Sequence, residues 1–171
     1  MAAGATYEPI ATTTLGSAAA TITFSSIPST YTDLRLVMVA QSVSGGTIIY
    51  VTYNASGGTA YSQTDLYGLG AGGTPYGSQS TTSTSRISLA NISGLSTTIP
   101  TMYTLDVFSY AGSTYKTCLA TQIEDKNGSG AVANTVGLWR NTSAISSIEL
   151  TKSSGNFTAG TTATLYGIKA A

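Results

Sequence analysis

Apolar and polar residues alternate with a period of two along most of this chain, and the 3.6-residue period of an amphipathic helix is almost absent. Ala20 to Phe24 reads Ala-Thr-Ile-Thr-Phe, which sends Ile22 and Phe24 to one face. From Leu34 to Gln41, Leu34, Leu36, Met38 and Ala40 share a face, while Arg35, Val37 and Val39 take the other. Ile48 to Tyr53 is β-branched or aromatic on both sides, the pattern of a central strand covered twice over. Arg86 to Ile92 groups Ile87, Leu89 and Asn91, and Met102 to Tyr110 sets Tyr103, Leu105 and Val107 against Met102, Thr104, Asp106 and Phe108.

Ala111-Gly112-Ser113-Thr114 makes a tight connection into Tyr115 to Ile123, which predicts a hairpin. Glu124 to Gly130 is a second turn region; Val136 to Trp139, Ile145 to Leu150 and Ala163 to Ile168 are further short strands. The pattern predicts one all-β domain over residues 1–171, a β-sandwich of about 8–10 short antiparallel strands. A jelly-roll-like winding is the most economical topology and a barrel the alternative. Ser56 to Ser85 departs from the alternation and reads as a long excursion with one or two weak strands.

Composition sharpens this picture. Only 8% of residues are charged, against roughly 25% in ordinary soluble domains, and hydroxyls take their place, with 30 Thr and 23 Ser. Disorder is excluded because it pairs low hydrophobicity with high net charge, whereas this chain is 42% apolar with a formal net charge of zero. Without a basic excess, neither nucleic acid nor an anionic membrane has an electrostatic handle on it. A free monomer with so few charges is poorly protected against association, so the surface suits a protein packed in an assembly. Met1 to Thr6 has no basic region and no apolar core, so no secretory signal is expected there. The longest aliphatic run, Leu36 to Ala40, is too short to span a bilayer. Synthesis in a cytoplasm is the expectation.

Candidate chemistry is sparse. The chain has no histidine, which removes a Ser-His-Asp triad, a Cys-His pair and His-dependent zinc sites. The carboxylates Glu8, Asp33, Asp65, Asp106, Glu124, Asp125 and Glu149 are scattered, and strand neighbours such as Glu124 and Asp125 face opposite ways, so no acid–base pair stands out. Cys118, the sole cysteine, reads as a small buried residue. Gly68, Gly70 and Gly73 satisfy G-x-G-x-x-G, but Thr74-Pro75-Tyr76-Gly77 starts no helix, so the motif reads as a loop. Asp125-Lys126-Asn127-Gly128 resembles the start of a calcium loop yet has Val136 at its twelfth position, so it reads as a turn. Sequons at Asn54, Asn91, Asn127, Asn141 and Asn156 are expected to stay unmodified. Tyr50, Tyr53, Tyr61, Tyr67 and Tyr76 gather around the excursion, either to stack on a ligand or to edge a sheet. No enzyme activity, metal or cofactor is expected.

Several segments together resemble a family of small structural proteins of tailed bacteriophages, of the type found in phages of cyanobacteria and marine bacteria. They are Tyr7-Glu8-Pro9-Ile10-Ala11-Thr12, Ile22 to Pro28, Tyr31-Thr32-Asp33-Leu34, Tyr53-Asn54 with Tyr61-Ser62, and Tyr115-Lys116-Thr117. Gly137-Leu138-Trp139-Arg140, Ala144 to Ile148 and the ending Gly155-Asn156-Phe157 with Gly160 to Ile168 complete the set. The similarity covers nearly the whole chain and is weakest over Gly57 to Ser85. It implies a β-sandwich module of the virion, used in head decoration or in fibres and tails, and transfers no catalytic residue.

The expected function is accordingly that of a virion structural protein, a capsid decoration (cement) protein, since no coiled coil or collagen-like shaft marks a fibre subunit. Its expected partners are further copies of itself, as a homo-oligomer and most simply a trimer, and the major capsid protein. The alternative is a tail or fibre module that recognises a host surface glycan through the tyrosine- and glycine-rich excursion.

Overall fold

The alternation at Leu34 to Ala40 becomes the backbone of a sheet. The computed structural model describes residues 6–43, 48–70, 76–89, 95–125 and 127–169. Among them there is no helix. The strands in chain order are β1 (Tyr7–Thr14), β2 (Thr21–Phe24), β3 (Asp33–Ala40), β4 (Ile49–Tyr53), β5 (Tyr61–Leu69) and β6 (Tyr76–Thr84). They continue with β7 (Ile87–Ser88), β8 (Thr101–Phe108), β9 (Lys116–Asp125), β10 (Gly130–Trp139), β11 (Ile148–Lys152) and β12 (Thr162–Ile168).

An eight-stranded sheet runs β1-β12-β3-β8-β9-β10-β5-β6 and a four-stranded sheet runs β2-β11-β4-β7, with every pairing antiparallel. The apolar faces of the two sheets enclose one core, as the β-sandwich expectation requires. Partners nest along the chain: β5 with β10, β4 with β11, β3 with β12. The strands divide eight and four between the two sheets.

Ile22, Phe24, Leu34, Leu36, Met38, Tyr103, Leu105, Val107 and Leu165 are all buried, on the faces that the alternation assigns them. Trp139 is wholly enclosed, its ring centroid 5.6 Å from Tyr53 and 6.3 Å from Tyr61, nearly parallel to the latter. Its indole Nε1 donates to Ser56 Oγ at 3.2 Å, and the Tyr61 hydroxyl accepts from the Tyr53 amide at 2.9 Å, so two of the three rings have partners for their polar handles while the buried Tyr53 hydroxyl has none among the described residues. Arg140 reaches outward instead, to the Thr59 carbonyl at 3.2 Å.

Four expectations change. Ile48 to Tyr53 is not covered on both sides: in β4, Ile49, Val51 and Tyr53 are buried while Tyr50 and Thr52 lie on the half-exposed outer face of the smaller sheet. The Ser56 to Ser85 region, expected as a long excursion with one or two weak strands, contributes two full nine-residue strands, β5 and β6, that extend the larger sheet. β1 escapes the pattern because Glu8 and Pro9 interrupt it, and its register slips between Pro9 and Ala11. The strand count therefore exceeds the expected range. Asn91 lies outside the described residues.

Candidate interaction surface

β8 decides which way its neighbours face. Its inner residues Tyr103, Leu105 and Val107 are strongly apolar and buried, and residues paired across a sheet share a face. Tyr103 is paired with Gln122, Leu105 with Ala120 and Val107 with Cys118, so β9 must turn these three residues inward. Lys116 and Glu124 follow by alternation, and all five are buried. β10 is fixed in turn through Gln122–Ala133, Ala120–Thr135 and Cys118–Gly137.

The consequence is an inversion. β9 and β10 bury Lys116, Cys118, Ala120, Gln122, Glu124, Ala131, Ala133, Thr135 and Gly137, with Trp139 the one large apolar exception. They expose Ile123, Val132 and Val136, each about half accessible. The buried cation is tied down: Lys116 Nζ donates to the carbonyls of Gly112 at 2.7 Å and of Thr114, and desolvation lowers its pKa.

On the outer face of the larger sheet the exposed apolar residues line up. Val39 stands opposite Met102, Met102 opposite Ile123, Ile123 opposite Val132, Val132 opposite Gly68, and Gly68 opposite Tyr76. The five side chains of this row are between 41% and 75% exposed, across strands β3, β8, β9, β10 and β6. Gly68 leaves a notch between Val132 and Tyr76. Beside it lies a depression of about 450 Å³ lined by Gly68, Leu69, Ile123, Gly130 and Val132 among others. Leu66, Val136 and Phe108 extend the apolar character of the face. Near its middle, Arg35 meets Asp106 in a two-point ion pair, Nε to Oδ1 at 2.6 Å and Nη2 to Oδ2 at 2.7 Å, so the two charges cancel there.

Beneath the β5–β6 end of the sheet, the inner face carries a polar network. Buried Asp65 accepts from Gln63 Nε2 at 2.8 Å, from Gln79 Nε2 at 2.9 Å and from the Thr135 hydroxyl. Gln63 Oε1 accepts from the Ser88 amide at 2.7 Å, which links the two sheets. A carboxylate with three donors is a stable buried group.

The other sequence candidates disperse. Asp33 accepts from the Ser109 amide at 2.6 Å, and Asp125 accepts from the Asn127 amide at 2.8 Å in a turn where Asn127 and Gly128 take positive φ. Glu8 bonds Lys169 Nζ at 2.7 Å, which holds its carboxyl below the usual range. Among the described residues, no three His, Cys, Asp or Glu gather where they could hold a metal. Gly68 is part of β5, and Gly73 lies outside the described residues. The five tyrosines separate: Tyr53 and Tyr61 are core residues, Tyr50 lies under the Arg86 guanidinium at 3.9 Å, Tyr67 packs on Gly77, and Tyr76 alone is largely exposed. Asn54 has a fold-keeping role, its Oδ1 accepting from the Ser146 and Ser147 amides at 2.8 and 3.0 Å. The outer apolar row escapes a strand-by-strand reading, because it exists only in the register of six strands. Comparison with protein-family models, with curated proteins and with solved structures finds no match for this chain.

Proposed function

We propose that this chain is a structural protein of a bacteriophage particle, a capsid decoration (cement) protein that lays the outer face of its larger sheet against neighbouring virion proteins. The observation that carries the reading is the inversion at β9 and β10, where Ile123, Val132 and Val136 face out while Gln122, Glu124 and Thr135 face in. Contiguous exposed apolar surface of this kind marks a site of protein–protein contact. The low charge of the chain and its resemblance to phage structural proteins support the same reading. In it the partners are the major capsid protein and further copies of the chain, and the location is the virion.

Of the tyrosines behind the glycan-recognition alternative, Tyr53 and Tyr61 are sealed in the core and cannot stack on a sugar, which leaves Tyr76 as the largely exposed one. Quantitative mass spectrometry of purified particles, normalised to the major capsid protein, tests the proposal. Cement should be present in hundreds of copies, and its removal should weaken heads to heat without altering adsorption. A copy number typical of tail proteins, or loss of adsorption with intact heads, would sink it.

A further inference from the structure

The eight-stranded sheet ends in β1 on one side and β6 on the other, and the two edges differ. β1 carries the usual protections: Pro9 lacks an N–H, the register slips beside it, and Glu8 adds a charge. β6 carries none of them over most of its length. Its residues, Tyr-Gly-Ser-Gln-Ser-Thr-Thr-Ser-Thr, include no charge and no proline. Most of them are exposed on both faces, and among the described strands β6 pairs only with β5. The single irregularity is Ser83, at positive φ beside the register shift near the end of the strand. A nine-residue strand so disposed offers roughly 30 Å of outward N–H and C=O groups.

We propose that β6 pairs antiparallel with β6 of a second copy of this chain, about a two-fold axis beside Ser80, joining two larger sheets into one. An antiparallel edge is its own complement under a two-fold rotation, so one surface supplies both halves of the contact. In this register Ser80 faces Ser80, Gln79 faces Thr81 and Ser78 faces Thr82, and the pairing stops short of the irregularity at Ser83. Every pair is neutral, and most can hydrogen-bond through hydroxyl or amide groups across the strands. Pairing with β1 of another copy would meet Pro9 and the slipped register, which makes the second β6 the better occupant. The contact closes at two copies, whereas a trimer requires two different surfaces. It stands whichever particle the chain belongs to.

The two-fold axis makes a specific test. Ser80→Lys and Ser80→Glu each place like charges opposite one another at the axis, on a residue exposed in the monomer. Sedimentation equilibrium of the full chain should give a dimer for the wild type and self-association weaker by about tenfold or more for each variant. Circular dichroism should stay unchanged. An equimolar mixture of the two variants should recover the dimer, because Lys then faces Glu. A wild type that is monomeric or trimeric, a dimer indifferent to both changes, or a mixture that fails to recover would each overturn the proposal.

Discussion

Gly137 of β10 stands opposite Cys118 of β9, and a β-carbon at position 137 would lie 2.8 Å from the Cys118 Sγ and 2.6 Å from the Ile87 Cδ1. The missing side chain is what lets β7 of the smaller sheet close onto β10. Gly137→Ala should therefore overpack the core and cost about 1–3 kcal/mol, despite the better strand propensity of alanine. Chemical denaturation measures this, and an unchanged or raised midpoint would contradict the packing.

The same burial governs the thiol. Desolvation pushes the Cys118 pKa up to about 11, so the folded chain holds the proton more tightly than the unfolded one. Thiol reagents at neutral pH should modify Cys118 only after denaturant is added. The sign for stability follows: the contribution is complete below the ordinary thiol pKa and is lost as pH rises through about 11. Rapid labelling of the native protein would refute this placement of β9.

Asp65 ties β5 to β6 and to β10 through Gln79 and Thr135. Asp65→Ala would strand three donors in or near the core, at a cost of roughly 2–4 kcal/mol. Amide hydrogen exchange should accelerate first in β5 and β6. A loss spread evenly over the sandwich would show that the network does not anchor the edge.

β12 lies between β1 and β3 and buries Ala163 and Leu165, whereas Ile168 sits half-exposed on the outer face beside Tyr7. A chain stopped at Gly160 would leave β1 without a partner and open the edge of β3, so it should be insoluble or unfolded. Leu165→Ala in the full chain should cost about 2–5 kcal/mol. A soluble, β-rich truncation would refute both the placement and the cost.

The outer apolar row calls for the opposite outcome. Ile123→Lys should change folding stability by no more than about 0.5 kcal/mol, since the side chain is already half in water. It should still abolish incorporation into particles. Normal incorporation would remove the face from the proposed function.

The sequence by itself determined where most strands run and which side chains face inward wherever one face is clearly the more apolar, as at Leu34 to Ala40 and Met102 to Phe108. It also determined the turn at Asn127-Gly128 and the burial of Cys118. In each case the local pattern and the tertiary demand agree. β5 and β6 were legible only as one or two weak strands within an excursion, because their Gly, Ser, Thr and Gln residues carry little apolar alternation; β5 is held by the Asp65 network and backbone pairing. β9 and β10 show the limit most clearly. Alone, each offers Ile123, Val132 and Val136 on one face and mainly small or polar residues on the other, and local hydrophobicity would bury the former. Only the tertiary structure decides otherwise, because pairing with β8 transmits its facing from strand to strand. Turning β9 over would cost the whole register, while leaving three apolar side chains outside costs only their exposure.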